Sequence, residues 1–363
     1  IGVFASMTLG LMAKSTLLTL PFALLLLDFW PGERRKEGWG RLLREKLGLF
    51  LLVPLFLWVG YQAQAGFGAV RDASGLERTG SALVAYASSL GHLFVPIDLG
   101  PMYVAPAGGF SAVAVITSVV VLLAVTLTVL RFRRSVPAMW IGWLWFVGTL
   151  LPFSGIVAIG GHFMADRYLL IPSVGIWLGL VFLVSSLLDR RNVTVRARWI
   201  LGVVVLILFG AASFRQVARW TDSTTLFAHT LEIDRENYLA AYWLGEARAL
   251  DGDLEGAAAS FADARTANPA YDLAWFKEGS ALLELRRNAA AATAFEEYLR
   301  LRPNQFKGWM NLGVAYGRLG RLEEALRCFE RAVEISPSDQ QALANRDRAR
   351  QMLSSPQRGK DDD

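Results

Sequence analysis

The sequence has 363 residues, 53% of them hydrophobic and 19% charged, and its formal net charge is +5. So much apolar sequence is rare in a soluble domain, so the composition argues against a wholly soluble protein. The basic residues lie between apolar runs, as membrane topology alone would place them, and we expect no nucleic-acid partner. The single cysteine, Cys328, excludes an internal disulfide, and its position on an apolar face predicts a packed thiol.

Long apolar runs fill residues 1–214 and predict helices that span a lipid bilayer. A helix needs about 20 apolar residues to cross the hydrocarbon core, and these runs are continuous rather than amphipathic. Because Ile1 already lies in an apolar run, we interpret the sequence as part of a longer protein. Seven spans are predicted, at residues 1–12 (incomplete), 16–30, 47–63, 110–130, 137–159, 168–188 and 199–214.

The connecting segments predict the orientation. Residues 32–46, 131–134 and 190–198 are rich in Lys and Arg, and the positive-inside rule places them in the cytoplasm. Residues 81–104 would break this alternation if they crossed once, so we predict an interfacial or re-entrant element on the outer side. The last span then runs outward. The C-terminal domain is therefore predicted to lie on the extracytoplasmic side of the membrane.

Four columns of residues recur every 34 positions in the C-terminal third. This is the period and pattern of the tetratricopeptide repeat. Small residues let the two helices of a unit approach, Phe is expected to fill the space between units, and Pro ends the second helix. The columns are Gly245, Gly279 and Gly313; Ala257, Ala291 and Ala325; Phe261, Phe295 and Phe329; and Pro269, Pro303 and Pro337.

The sequence thus predicts an all-α protein, with a polytopic transmembrane helical bundle followed by a tetratricopeptide-repeat α-solenoid. Residues 1–214 form the membrane domain, and residues 215–236 form a linker with half a repeat. Residues 237–353 form three repeat units and the capping helix that such arrays need. Residues 354–363 are predicted to be a disordered tail.

One ladder of residues suggests a partner-binding groove on the repeats. Tyr242, Phe276 and Met310 occupy the same position in successive units, on the helices that form the concave face. They could bind an extended polypeptide or simply pack between helices, and both interpretations stay open. For Trp275 and Trp309, one position earlier, packing is the favoured interpretation because aromatic stripes at helical spacing usually belong to the core.

Ionisable residues beside membrane spans are costly and often functional. By the predicted topology Lys14, His162 and Arg167 share the outer face, where a cationic cluster suits a phosphate or pyrophosphate group. The alternatives are a snorkelling Lys14 and a local ion pair between Asp166 and Arg167. No motif for a cofactor or a metal stands out, and no catalytic residue is assigned.

Three blocks of sequence resemble the TMTC-like transmembrane and tetratricopeptide-repeat proteins and their bacterial relatives. They are residues 13–31, residues 148–172 with the stretch Met-Ala-Asp-Arg-Tyr, and residues 220–227, which lead into the repeats. That family is similar to the GT-C glycosyltransferases, multispan enzymes that transfer a sugar from a polyprenyl-phosphate carrier to an acceptor outside the cytoplasm. Its eukaryotic members are O-mannosyltransferases.

The resemblance implies a transferase with a lipid-linked sugar as donor and an acceptor polypeptide held by the repeats. It also implies that the catalytic acid lies in an outer loop before Ile1. Lys14, Arg167 and His162 would then bind the donor phosphate, with Asp166 as a supporting residue. Whether a divalent metal takes part is left open.

A second hypothesis belongs to a different class of protein. The chain could be a membrane-anchored repeat scaffold that assembles envelope proteins without catalysis. A transporter is a weaker hypothesis, because no predicted span carries a mid-membrane acidic residue suited to ion coupling.

Overall fold

The computed structural model describes residues 2–13, 15–30, 34–66, 74–106, 108–156 and 162–354. Within these ranges the regular elements are helices, which confirms the all-α prediction for the described part of the chain. The α-helices are α1 (Gly2–Ala13), α2 (Leu20–Phe29), α3 (Trp39–Gly66), α4 (Gly75–Phe94), α5 (Ala112–Phe132), α6 (Pro137–Leu150), α7 (Leu170–Arg190), α8 (Val195–Arg219), α9 (Ser223–Ile233), α10 (Tyr238–Leu250), α11 (Leu254–Ala267), α12 (Asp272–Glu284), α13 (Asn288–Leu301), α14 (Phe306–Arg318), α15 (Leu322–Ile335) and α16 (Gln340–Ser354).

The chain forms two compact units, Ile1–Arg219 and Trp220–Asp363. The first contains α1 to α8. Three of its helical segments are long and apolar enough to cross a membrane: Ala112–Phe132, Asp166–Arg190 and Val195–Arg219. Shorter apolar helices cover Gly2–Met12, Leu17–Phe29 and Pro137–Phe153, and the span predicted at 47–63 lies within α3. Large apolar side chains of α8 are exposed, Leu206 by 74% and Phe214 by 80%, and lipid would shield such a surface.

Two helices of the first unit approach closely at glycines. A Cβ atom on Gly142 would lie 2.1 Å from the carbonyl oxygen of Gly175, and one on Gly179 would lie 3.1 Å from Cα of Met139. Small residues allow such close contact between helices in membranes. Because Gly142 of α6 meets Gly175 of α7, while Met139 meets Gly179, α6 and α7 run antiparallel, and the start of α6 lies beside the middle of α7.

The segment predicted to be interfacial or re-entrant begins earlier than expected. Helix α4 covers Gly75–Phe94, and Ser74 and Glu77 form a capping box at its start. A segment of irregular backbone follows and contains Pro96, Gly100 and Pro101. One face of α4 is buried against α5 and α6, where the Tyr86 hydroxyl donates to the carbonyl oxygen of Val147 at 2.6 Å.

The second unit contains the repeats, as helix pairs α10/α11, α12/α13 and α14/α15, with α9 before them and α16 after. Each helix packs mainly on the helices next to it in sequence. In every unit the Phe ring lies against the Gly of its own unit: a Cβ atom on Gly279 would be 2.9 Å from Cε1 of Phe295. The ring thus fills the space within a unit, and not only the space between units that the sequence suggested. Each Pro follows its helix by two residues, as α13 ending at Leu301 before Pro303 illustrates.

Cys328 is 4% exposed in the core of the second unit. Burial raises the pKa of its thiol to about 12. The thiolate, which is the reactive form, is therefore disfavoured. The tail is predicted at residues 354–363; Ser354 is the last residue of α16, and residues 355–363 lie outside the described residues.

Candidate functional site

Two irregular segments of the first unit are joined by backbone hydrogen bonds. The amide of Tyr103 donates to the carbonyl oxygen of Met164 at 2.9 Å, and the amide of Phe163 donates to the carbonyl oxygen of Tyr103 at 3.0 Å. The segment after α4 is thereby fixed beside the turn that begins α7. This bridge brings residues more than 60 positions apart into one site.

The Asp166 carboxylate is the centre of that site. Oδ1 lies 2.7 Å from Nδ1 of His92, and Oδ2 accepts from the Tyr103 hydroxyl at 2.7 Å and from the Gly100 amide at 2.9 Å. The Asp166 side chain is 13% exposed and that of His92 is 23% exposed. Burial, followed by the charge of Asp166, raises the pKa of Tyr103, so its hydroxyl stays a donor. We call His92, Gly100, Tyr103, Asp166 and Arg167 the Asp166 cluster.

Arg167 belongs to the cluster without pairing with Asp166. Its Nη1 donates to the carbonyl oxygen of Pro101 at 2.8 Å, and its guanidinium carbon lies 4.9 Å from the centre of the Tyr168 ring. Within the described part of the chain its partners are neutral, and Asp166 pairs with His92 instead. The local ion pair between Asp166 and Arg167, left open as an alternative, is not formed. Arg167 therefore keeps a positive charge available for an anion.

His162 and Lys14 are the other residues predicted for the phosphate. His162 lies near Arg167, with Nε2 3.2 Å from the Tyr168 hydroxyl. Burial, together with the charge of Arg167, lowers the pKa of His162 to about 4. His162 is thus neutral near pH 7 and adds no positive charge to the cluster, whereas its contact with a phosphate stays a prediction. Lys14 lies outside the described residues.

A cavity of about 710 Å³ opens beside the cluster. Its polar end is formed by His92, Asp166 and Arg167, and its other walls are mainly apolar side chains of α7 and α8, including Trp177, Leu206 and Phe209. The side chain of Gln216 on α8 donates to the carbonyl oxygen of Leu99 at 3.0 Å, which ties α8 to the segment beside the cluster. The cavity thus joins a polar end, which holds one guanidinium and one carboxylate, to apolar walls. Among the described residues, no group of His, Cys, Asp and Glu side chains is arranged to hold a metal ion.

His162 provides a pH-dependent prediction. Its pKa falls from 6.5 to about 4 on folding, so the unfolded state takes up the proton first as the pH decreases. We expect the free energy of unfolding to fall between about pH 6.5 and pH 4, by at most about 3 kcal/mol through this residue. His162→Gln removes that part of the pH dependence, as thermal unfolding of both proteins in the same detergent can measure. Identical pH profiles would contradict the prediction.

The residues of the predicted groove contribute largely to packing. Tyr242 and Met310 are each 6% exposed, and Phe276 lies 5.8 Å from the Phe295 ring. The indole nitrogens of Trp275 and Trp309 donate to the carbonyl oxygens of Pro269 and Pro303, at 3.0 and 2.8 Å. These repeated bonds support the packing interpretation of the tryptophans. Since Tyr242 and Met310 are nearly buried, a ligand could contact only the small exposed parts of these side chains.

Together these features define an α-helical protein whose C-terminal part carries tetratricopeptide repeats, preceded by helices apolar enough to cross a membrane. A family profile described as the tetratricopeptide repeat matches residues 211–272 and 276–340, which confirms the repeat prediction.

Similarity to individual proteins is weak and partial. Protein O-mannosyl-transferase TMTC3 of Homo sapiens is 24% identical over 213 residues, which cover 54% of this chain and 23% of that protein. Superkiller protein 3 of Saccharomyces cerevisiae is 35% identical over 60 residues, 16% of this chain and 4% of its own. The chain thus matches less than a quarter of the length of either relative. The solved first TPR of Spaghetti (RPAP3), bound to an HSP90 peptide, is 24% identical and covers 34% of this chain and 97% of that chain, with a TM-score of 0.32.

Proposed function

We propose that this chain is part of a GT-C type membrane glycosyltransferase of a bacterial inner membrane. It would transfer a sugar from a polyprenyl-phosphate donor to a protein hydroxyl on the extracytoplasmic side. The observation that carries the proposal is the apolar cavity that ends at Arg167, a cation without a carboxylate partner among the described residues. The weak similarity to a protein O-mannosyl-transferase supports the same chemistry.

In this proposal the donor binds with its phosphate at the Asp166 cluster and its isoprenoid chain along α7 and α8. Arg167 forms a charge-assisted hydrogen bond to a phosphate oxygen, with Lys14 as a second contact. Asp166 and its partners hold the turn that carries Arg167. Neutral His162 can donate or accept a hydrogen bond there without adding charge.

The proposed reaction is an attack by the acceptor hydroxyl oxygen on the anomeric carbon. The bond between that carbon and the phosphate oxygen breaks, and the polyprenyl phosphate leaves with the electron pair. A general base removes the hydroxyl proton, and we assign that role to no residue of this chain. Arg167 stabilises the negative charge that develops on the leaving phosphate. The repeats would hold the acceptor polypeptide.

Arg167→Ala is expected to lower kcat/KM for the lipid-linked donor roughly 10- to 100-fold, the effect of losing a hydrogen bond to a charged group. The test is sugar transfer by the full-length protein in vesicles that contain a polyprenyl-phosphate sugar. Arg167→Lys should retain part of the activity, and Arg190→Ala, at the other end of α7, serves as the matched control.

Two outcomes would contradict this proposal. Unchanged turnover and donor affinity in Arg167→Ala would remove the phosphate role. No transfer by the unaltered full-length protein, with partner capture by the repeats intact, would instead favour the non-catalytic scaffold. The observation that favours the scaffold hypothesis is the tetratricopeptide-repeat match over residues 211–272 and 276–340.

A further inference from the structure

A second cavity of about 1210 Å³ lies where α6 begins. It is bordered by α2, by the turn before α3 and by the residues that connect α5 to α6. The Asp166 cluster lies where α7 begins, and α6 and α7 run antiparallel. The second cavity therefore lies at the opposite end of this helix pair. We call it the basic cavity, after Lys36, Arg133 and Arg134 at its border.

The walls of the basic cavity are apolar and largely aromatic. Phe22 and Phe29 come from α2, and Trp140 and Leu144 come from α6. Trp39 completes the wall, with its ring centre 4.1 Å from that of Phe29. Tryptophan is enriched where a membrane protein meets the headgroup region, because its ring is apolar and its N–H is polar. The walls thus suit the part of a lipid acyl chain that lies next to the headgroup.

The border of the cavity carries uncompensated positive charge. Nearby Arg34 pairs with Asp28, Glu37 and Glu45, and Lys46 pairs with Asp28. By contrast, no carboxylate in the described ranges lies within ion-pair distance of Lys36, Arg133 or Arg134. The available acidic groups of this region are thus used by other cations. Three cations remain around one apolar opening.

We propose that the basic cavity binds an anionic phospholipid of the adjacent leaflet. The headgroup phosphate meets Lys36, Arg133 and Arg134, and the first methylenes of an acyl chain pack on the aromatic walls. Basic pockets between helices at the membrane surface bind anionic headgroups in this way. A zwitterionic lipid binds less well, because its ammonium group adds positive charge to a site that is already basic. This site is independent of the proposed transferase function.

The test uses the protein in nanodiscs of dioleoylphosphatidylcholine, with or without dioleoylphosphatidylglycerol. Native mass spectrometry counts retained phosphatidylglycerol, and thermal unfolding measures its stabilising effect. The double substitution Arg133→Gln with Arg134→Gln is expected to lower phosphatidylglycerol affinity roughly 30-fold, as two basic residues at a membrane surface would. The matched control is Arg190→Gln with Arg191→Gln, the same charge change at the same end of the bundle, outside the cavity.

Ile141→Trp tests the cavity separately from surface charge, because it narrows the apolar space and leaves the three cations in place. It is expected to lower phosphatidylglycerol binding, while unfolding in phosphatidylcholine alone shows whether each variant folds. Equal losses in both arginine double variants, or unchanged binding by Ile141→Trp, would overturn the proposal. Equal stabilisation by inorganic phosphate without phosphatidylglycerol would also overturn it, since an ion alone would then suffice.

Discussion

Phe295→Ala is expected to destabilise the repeat array by about 3–5 kcal/mol, the usual cost of emptying a buried phenylalanine site. Phe295 is 0% exposed, and it lies between Gly279 of its own unit and the Phe276 ring. The surrounding helices cannot easily move into the space that the ring would leave, because Ala291 and Ala292 are already buried in the same core. The central unit should therefore lose most of its stability.

Urea unfolding of the whole chain, followed by hydrogen exchange of amides in α12 and α13, measures this effect. Leu250→Ala is the control, since Leu250 is 89% exposed and its truncation should change stability by no more than about 0.5 kcal/mol. A loss below about 1 kcal/mol for Phe295→Ala would show that the ring is not the centre of the unit.

Asp166→Ala is expected to cost a similar amount, about 3–5 kcal/mol, in the first unit. Removing the carboxylate leaves the Tyr103 hydroxyl and His92 without this acceptor, while the Gly100 amide keeps its bond to the Tyr103 hydroxyl oxygen. Each buried polar group that loses its partner costs about 1–3 kcal/mol. The segment after α4 would then be held by the Tyr103–Met164 bridge with far less side-chain support.

Thermal unfolding in detergent and hydrogen exchange of the Gly100 amide measure the loss. Asp189→Ala is the matched control: Asp189 lies near the other end of α7, is 61% exposed and pairs with Arg198. An exposed pair contributes about 0–1 kcal/mol. Asp166→Asn should be intermediate, because the amide has one acceptor oxygen instead of two. Equal effects of the two alanine substitutions would contradict the central role of Asp166.

The repeats could be predicted from sequence because their contacts are local and periodic. Gly, Ala, Phe and Pro recur at a fixed spacing of 34 residues, and each residue type has the same structural role in every repeat. The 34-residue spacing does not specify which residue each Phe ring packs against. The contact between Gly279 and Phe295 joins positions 16 apart in one unit, whereas the sequence equally allowed a contact between units.

The Asp166 cluster was only half predictable. Asp166 and Arg167 attract notice as charges beside an apolar run, but His92 and Tyr103 do not. Both lie more than 60 positions away, and only the Tyr103–Met164 bridge brings them together. The available signal was composition: His92 is one of three histidines and lies in the last turn of α4. The charge state of His162 depends on burial by distant segments, so no local pattern encodes it.

The nearest-neighbour packing of the repeats has a consequence for how they respond to a ligand. Helices that meet mainly their sequence neighbours form a linear series of coupled elements, and such a series loses structure from its ends inward. Helix α16, at one end, has few buried side chains and should open first. A polypeptide that contacts α10, α12 and α14 at once would couple all three repeat units, whereas within the protein each unit packs mainly on the next one. Its binding would make unfolding more cooperative as well as less favourable.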